Sequence, residues 1–194
     1  MVTRLPNVEG KGEIGMLDLM INSLRMRPDR LVVGEIRRKK EAQVLFEAIH
    51  TGHSVYATVH ADNSKEVITR LVSPPIEVPK TMLPAIGAVL VMYRNRRTGV
   101  RKVLEFAEIT DDAQANVLFK YDARTDQIKA VSQSKTLIRK LSMHTGLTIQ
   151  QLSKDLRDKE EILQWLVKNK VTTVDGVGRI VAAYYSNKNA LLNL

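Results

Sequence analysis

Two side chains that could take part in proton chemistry each follow a short apolar run in the first third of the sequence. Glu35 follows the run 31–34, Leu-Val-Val-Gly, and His60 follows the run 55–59, Val-Tyr-Ala-Thr-Val. A carboxylate can orient or deprotonate water, and an imidazole can donate a hydrogen bond or a proton near neutral pH. Either residue alone could equally be ordinary, as a solvated or helix-capping carboxylate or as a structural histidine. Their equivalent places after two successive runs favour a reaction site.

The residues between the two runs predict a helix that would bring both side chains to one edge of a sheet. Its apolar residues recur at the spacing of one helix face, and Thr51-Gly52 is typical of a helix end. A strand, a helix and a strand within about thirty residues form a βαβ unit with parallel strands. Glu35 and His60 should therefore lie at the carboxyl edge, where open α/β sheets bind ligands. The apolar residues of the helix face are Ala42, Leu45, Phe46 and Ile49.

The composition narrows the class of protein. The 194 residues contain no cysteine, so disulfides and thiolate metal sites are excluded, and 44% are hydrophobic, which is enough for a core. The most apolar run, 85–93, is far shorter than the ~20 residues of a membrane-spanning helix. The net charge of +9 favours a polyanionic partner, which could be a nucleotide, a nucleic acid or an acidic membrane surface. Aromatic residues make up only 5%, which argues against a base-stacking surface.

Residues 1–15 are rich in glycine and polar side chains and are predicted to form a loop. Gly10, Gly12 and Gly15 match the dinucleotide-binding pattern G-x-G-x-x-G, with Glu35 farther along the chain. That pattern also requires a buried strand before the first glycine, and residues 4–9, Arg-Leu-Pro-Asn-Val-Glu, do not form one. The loop interpretation is therefore favoured over a dinucleotide site.

A predicted hairpin around Gly99 carries a cluster of basic residues with two possible interpretations. The cations could protect an exposed edge strand from pairing, or they could contact nucleic acid. The first interpretation is favoured, because no aromatic side chain is interleaved with the cations. The basic residues of this hairpin are Arg94, Arg96, Arg97, Arg101 and Lys102.

The chain as a whole divides into three predicted parts. An α/β core occupies residues 1–110, an antiparallel β-meander occupies 111–131, and a helical C-terminal appendage occupies 132–194. Short apolar runs separated by turns indicate the meander, and apolar residues at helical spacing indicate the appendage. The further helices are predicted over 64–72 and 79–86, and the further strands over 88–93, 100–109, 117–121 and 127–131.

Two longer motifs surround Glu35 and His60. Residues 24–37, which include L-R-M-R-P-D and L-V-V-G-E-I-R, resemble the Walker B region of the secretion ATPase superfamily. This superfamily comprises the motors of type II and type IV secretion, type IV pili and archaeal flagella. Residues 51–62, from T-G-H to T-V-H-A-D, resemble its His box, at the separation typical of the family. Residues 73–79 are most similar to the archaeal branch.

The resemblance implies roles for six side chains. Glu35 is similar to the carboxylate that orients the attacking water, and His60 and His53 are similar to sensors of the γ-phosphate. Three arginines resemble those that reach the phosphates of a neighbouring subunit, where a cation stabilises charge on the transferring phosphoryl group. A solvated arginine on a polar surface remains the alternative for each. The three arginines are Arg25, Arg27 and Arg4.

The resemblance also implies a fold and a function. The expected fold is α/β, a RecA-like P-loop NTPase core that is incomplete at its N-terminal side, with the meander and the helical appendage. The expected function is that of a cytoplasmic, homo-hexameric motor ATPase at the cytoplasmic face of the cell membrane. It would use ATP and Mg²⁺, with the metal held through the nucleotide, and would act with an inner-membrane platform protein. The alternatives are a non-enzymatic piece that docks with a full-length motor, and a basic nucleic-acid-binding module.

The phosphate-binding loop of such motors is missing from this sequence. No G-x-x-x-x-G-K-[ST] pattern occurs in the 194 residues, and neither does the acidic box of the family. The chain thus resembles the C-terminal part of the ATPase, and alone it is expected neither to hydrolyse ATP nor to hold it tightly. Since the P-loop strand would normally flank residues 55–59, we expect strand 88–93 to pair there instead, or the exposed edge to drive self-association.

Overall fold

The computed structural model describes residues 1–186 of the chain. Its internal contacts define two compact units, Met1–Leu137 and Ile138–Leu194, and the description of the second ends at residue 186. The three-part division at residues 110 and 131 stays a prediction. No helix within residues 1–186 combines the length and the apolar character needed to cross a membrane.

The first unit begins with the βαβ arrangement that the sequence predicts. Strands β1 and β2 pair in parallel, with Leu31 opposite Val55 and Val33 opposite Ala57. Their packed face joins residues of the two nearby helices in a small core that includes Met20 and Leu45. The elements are α1 (Met16–Arg25), β1 (Arg30–Val33), α2 (Lys39–His50) and β2 (Ser54–Ala57).

Helix α2 forms where the apolar spacing predicts it. Ala42 and Phe46 are buried on the face that the spacing defines. At its start, Glu41 accepts hydrogen bonds from the backbone N–H groups of Arg37 and Arg38, each at 3.1 Å, which satisfies donors that a helix N-terminus leaves free. The chain then turns at Gly52, whose φ of +91° favours glycine. The helix therefore returns the chain to the amino end of the sheet.

The larger core of the first unit lies between helices α2 and α3 and an antiparallel sheet. Helix α3 (Ser64–Val72) contributes Leu71, and a 3₁₀ helix (Lys80–Ala85) contributes Leu83; both side chains are buried. Phe46 of α2 packs in the same cluster.

The antiparallel sheet contains four strands in the order β3-β4-β5-β6, which confirms the meander. The expectation that strand 88–93 pairs with residues 55–59 is wrong. Among the described residues, β3 pairs with β4 through a register in which Leu90 lies opposite Phe106. The hairpin connection from β3 to β4 is short, so the nearest strand in the sequence becomes its partner. The strands are β3 (Ala88–Arg94), β4 (Arg101–Ile109), β5 (Ala115–Asp122) and β6 (Gln127–Ala130).

The C-terminal part is helical, as predicted. The N-terminus of α5 is capped by Thr148, whose hydroxyl accepts a hydrogen bond from the N–H of Gln151 at 3.3 Å. Ile162 and Leu166 of α5 pack with Tyr184 of α6 in a core of their own. The part of the predicted appendage that covers 187–194 lies outside the described residues. The helices are α4 (Leu137–Thr145), α5 (Ile149–Lys168) and α6 (Val174–Ser186).

Candidate functional site

Glu35 and His60 lie at the same edge of the parallel pair because the pairing continues past both strands. The N–H of Ile36 donates to the carbonyl oxygen of Thr58 at 3.0 Å. The hydroxyl of Thr58 donates in turn to the carbonyl oxygen of Gly34. These two bonds hold the segments after β1 and β2 together. They place the acid and the imidazole at the carboxyl edge, as the βαβ pattern predicts.

The two side chains are in contact. Nε2 of His60 lies 3.3 Å from Oε1 of Glu35. The side chain of Glu35 is only 20% exposed, whereas that of His60 is 79% exposed. The pair therefore joins a partly shielded carboxylate to an imidazole that is open to solvent and to a ligand.

Arg37 holds the second oxygen of the carboxylate. Its Nε and Nη2 atoms lie 2.7 Å and 2.6 Å from Oε2 of Glu35. This hydrogen bond, with the charges of Arg37, His60 and Arg70, lowers the pKa of Glu35 below its ordinary value, although partial burial opposes the shift. Glu35 is therefore ionised at neutral pH and can accept a proton or a hydrogen bond.

Arg37 is a candidate site residue that sequence reasoning missed. It is part of the motif around Glu35, and residues two apart in an extended segment point to the same side. That spacing from Glu35 is the sequence signal that could have identified Arg37. It is weak, because a chain with thirty lysines and arginines places a cation near many of its acids.

His53 and Arg27 lie at the opposite edge of the sheet. Arg27 precedes β1 and His53 precedes β2, so both occupy the amino edge, roughly 13 Å from the carboxyl edge for strands of this length. They line a shallow cavity of about 300 Å³ together with Thr51 and Asp29. Nδ1 of His53 lies 3.1 Å from the hydroxyl oxygen of Thr51. The structure thus brings His60, but not His53 or Arg27, to Glu35.

Arg25 and Arg4 are not the ion-pair partners of Glu35, which are Arg37 and His60. Arg25 is exposed in the last turn of α1, where a cation interacts favourably with the helix dipole. Arg4 donates from Nε to the carbonyl oxygen of Gly12 at 2.6 Å, and its backbone pairs with that of Ile14. Arg4 therefore closes the glycine-rich segment, which is a loop as predicted.

The carboxyl edge can support chemistry on an anion more readily than on a bare metal ion. Within residues 1–186, no group of three histidine, aspartate or glutamate side chains is arranged to hold a metal. Glu35 instead offers a charged proton acceptor, and His60 offers an exposed hydrogen-bonding group beside it. A carboxylate next to cations and an imidazole suits the activation of water near a phosphate.

Several known proteins are similar in sequence to this chain. Residues 2–90 match the family described as "Type II/IV secretion system protein". An uncharacterized protein of the archaeon Methanocaldococcus jannaschii is 32% identical over 176 residues, which cover 87% of this chain and 64% of that protein. The type IV pilus assembly ATPase PilB of Thermus thermophilus is 37% identical over 86 residues, covering 44% of this chain and 9% of PilB. The type II secretion system protein HxcR of Pseudomonas aeruginosa is 43% identical over 74 residues, covering 38% of this chain and 16% of HxcR.

The parallel strand pair with its acid and imidazole lies within the segment that these matches cover. Residues 2–90 of the chain resemble the secretion ATPase superfamily, and the long match to an archaeal protein agrees with the archaeal resemblance. The chain spans at most 64% of the length of the three relatives described.

Proposed function

We propose that this chain is the C-terminal part of the ATPase domain of a motor that couples ATP hydrolysis to protein secretion or to assembly of a pilus or archaeal flagellum. The observation that carries the proposal is the 3.3 Å contact between Glu35 and His60 at the carboxyl edge of a parallel strand pair. In a RecA-like fold, β1 and β2 would form part of the nucleotide-binding sheet.

Glu35 is assigned the role of the carboxylate that orients water and accepts its proton. Its ionised state and its partly shielded position suit that role. His60, which is exposed beside it, is assigned the hydrogen bond to a terminal phosphate oxygen. ATP with Mg²⁺ supplies the phosphoryl group and neutralises charge on it. The hydrogen-bond donors at the carboxyl edge, His60 and Arg37, fit the terminal phosphate. The 194 residues contain no P-loop pattern that would bind the other phosphates.

Arg27 and His53 at the amino edge are assigned to contact the phosphates bound by a neighbouring subunit. Arg27 and His53 lie too far from Glu35 to act on the same phosphate, but in a ring of identical subunits this edge can face the site of the next copy. Arg25 at the end of α1 and Arg4 in the N-terminal loop are further candidates for such contacts. The resemblance to secretion ATPases is what supports a homo-hexamer in the cytoplasm that acts with a platform protein of the inner membrane.

A second candidate function is a non-enzymatic piece that docks with a full-length motor. This function would require no P-loop, and no P-loop pattern occurs in the 194 residues. Binding of this chain to a full-length motor, with no restoration of ATP hydrolysis on reconstitution with the missing part of the domain, is the result that would select this function.

The test of the proposed function is Glu35→Gln in an intact motor that carries this segment. The substitution keeps the size and hydrogen-bonding capacity of the side chain but removes its charge. We expect nucleotide binding to persist while hydrolysis falls by about two to four orders of magnitude, as for loss of a general base.

Glu77→Gln is the matched control, because Glu77 is an exposed acid paired with Lys39 at 2.9 Å and lies outside the site. Hydrolysis by this variant should stay within about twofold of the wild type, since exposed ion pairs contribute little. Near-normal hydrolysis by the Glu35→Gln motor would show that Glu35 is only an ordinary carboxylate at a strand end, and would contradict the proposed function.

A further inference from the structure

Glu105 is a buried carboxylate of β4 that contacts the start of helix α3. Its residue exposure is only 5%. Its Oε2 atom accepts hydrogen bonds from the backbone N–H and the hydroxyl of Ser64, at 3.0 Å and 2.8 Å. Its Oε1 atom lies 3.2 Å from Nζ of Lys120. Both oxygens of a buried charge are thus satisfied, and one of them is used entirely by the first residue of α3.

These hydrogen bonds are directional and well shielded from water. Ser64 is fully buried, so neither of its donors can turn to solvent without loss of a hydrogen bond. Burial raises the pKa of Glu105, but the bonds from Ser64 and the charge of Lys120 outweigh it, and the pKa lies below its ordinary value. The carboxylate therefore remains ionised and keeps the start of α3 at a fixed position over the antiparallel sheet.

Ser64 is also one end of the connection that carries His60. At the other end of this connection, Thr58 is bonded to both Gly34 and Ile36 beyond β1. His60 lies between these two anchored ends, four residues before Ser64. Its exposed imidazole makes a contact with Glu35, but the side chain has little packing of its own to fix it. Its position is therefore set by the backbone around it, which Thr58 and Ser64 hold by hydrogen bonds and which Val59 anchors by packing against the larger core.

The other bonds near Ser64 do not tie α3 to another element. Asn63 accepts a hydrogen bond from the N–H of Glu66 at 2.9 Å, and Glu66 accepts one from the N–H of Asp62 at 2.7 Å. Both bonds lie within the first turn of α3 and its cap, so they move with the helix. Glu105 supplies the polar attachment from the start of α3 to the antiparallel sheet.

We propose that Glu105 is a positioning residue that holds His60 against Glu35 through Ser64. The geometric part of this proposal stands on the structure alone, whereas its importance for hydrolysis rests on the proposed function. If Glu105 has this role, the antiparallel sheet supports the site. The first strand of that sheet begins near the end of the segment that matches the family. Glu105 touches none of the reacting groups and acts only through the backbone between Ser64 and His60.

The test is an NMR measurement on the 194-residue chain with isotopically labelled histidine. Glu35→Gln is expected to shift the ring resonances of His60, because it alters the group in contact with Nε2. The same substitution is then made in a Glu105→Gln background, in which the amide can no longer present a charged acceptor to both donors of Ser64. We expect the shift caused by Glu35→Gln to fall to less than about half of its wild-type size, since coupled sites are non-additive.

Glu108→Gln is the matched control. Glu108 is also buried in β4, but it accepts hydrogen bonds from Ser134 and from the backbone at Lys135 rather than from α3. In that background the His60 shift caused by Glu35→Gln should keep its wild-type size. An equal shift in the wild-type and Glu105→Gln backgrounds would overturn the proposal, and so would an equal reduction by Glu108→Gln.

Ser64→Ala provides the test if Glu105→Gln does not fold. It removes the hydroxyl donor of Ser64 and leaves the backbone donor. The shift of His60 caused by Glu35→Gln should therefore fall, but by less than it would if both hydrogen bonds to Glu105 were lost. An unchanged shift in the Ser64→Ala background would also overturn the proposal. Because no turnover is measured, these outcomes are independent of whether the proposed ATPase function is correct.

Discussion

The two sheets of the first unit place glutamate in contrasting environments. The parallel pair β1–β2 ends in Glu35, whose partners His60 and Arg37 have side chains 79% and 72% exposed. The antiparallel sheet contains Glu105 and Glu108 three positions apart in strand β4, both buried and both with their carboxylate oxygens hydrogen-bonded. The same residue type therefore has an exchangeable set of partners in one sheet and a fixed set in the other.

The exposure of its partners distinguishes a carboxylate suited to react from one suited to stabilise the structure. A carboxylate that acts on a ligand must exchange its partners as the ligand binds, and exposed ion pairs cost little to exchange. A buried carboxylate that loses a partner leaves a charge or a donor unsatisfied, so its bonds are retained. Glu35 therefore suits reaction, Glu105 suits the positioning of α3, and Glu108 suits the anchoring of the segment that follows the meander.

The parallel pair is also the more open of the two sheets. Val32 and Tyr56 lie opposite each other on one face and are 81% and 57% exposed. Parallel strands are normally covered on both faces. The alternative that the chain self-associates through this sheet stays a prediction, since the other alternative, closure by β3, is wrong.

The largest effect that we expect is a difference in the free energy of unfolding between two truncated forms of the chain. A chain ending at Leu137 keeps every bond to Glu108, whereas a chain ending at Val131 loses the donors at Ser134, Lys135, Thr136 and Leu137. Loss of partners from a buried charge predicts a lower free energy of unfolding for the shorter chain, by about 3–5 kcal/mol. Denaturant unfolding of both chains measures the difference, and equal stabilities would show that Glu108 anchors nothing.

The next effect is a dependence of stability on pH. Hydrogen bonds from Lys135, Leu137, Asn116 and Ser134 outweigh the burial that raises the pKa of Glu108, and lower it from 4.5 to about 2. Since the pKa is lower in the folded state, the stabilisation is complete above the unfolded value and is lost as the pH falls from 4.5 towards 2. The loss is about 3 kcal/mol at full protonation.

Glu108→Gln is the control for this dependence, because Asp122 also has a pKa of about 2 and contributes to any acid transition. The difference in free energy of unfolding between wild type and Glu108→Gln should shrink between pH 5 and pH 2. A difference that stays constant across this range would contradict the assignment.

The arrangement around the site was predictable from sequence because it depends on local patterns. The spacing of Ala42, Leu45 and Phe46 defines the helix face, Gly52 ends the helix, and the two apolar runs give the strands. Parallel pairing then follows from connectivity, and the contact between Glu35 and His60 follows from parallel pairing.

The features that escaped prediction depend on residues far apart in the sequence. Glu105 bonds a serine forty-one positions earlier, and Glu108 bonds a backbone N–H twenty-nine positions later at Leu137. No periodicity marks such partners. Strand β3 was assigned to the wrong sheet for a different reason: its apolar alternation fits either partner, and only the tertiary contacts select β4.

A double-mutant cycle for ATP hydrolysis, with Glu35→Gln and His60→Ala in an intact motor, tests whether the acid and the imidazole act together in one site. Each single substitution should reduce turnover, by about two to four orders of magnitude for the acid and by about a hundredfold for the imidazole. Residues that act as a unit are non-additive, so the double variant should be no slower than the Glu35→Gln motor. A double variant slowed by the product of the two single effects would show that Glu35 and His60 act independently, and would contradict their assignment to one site.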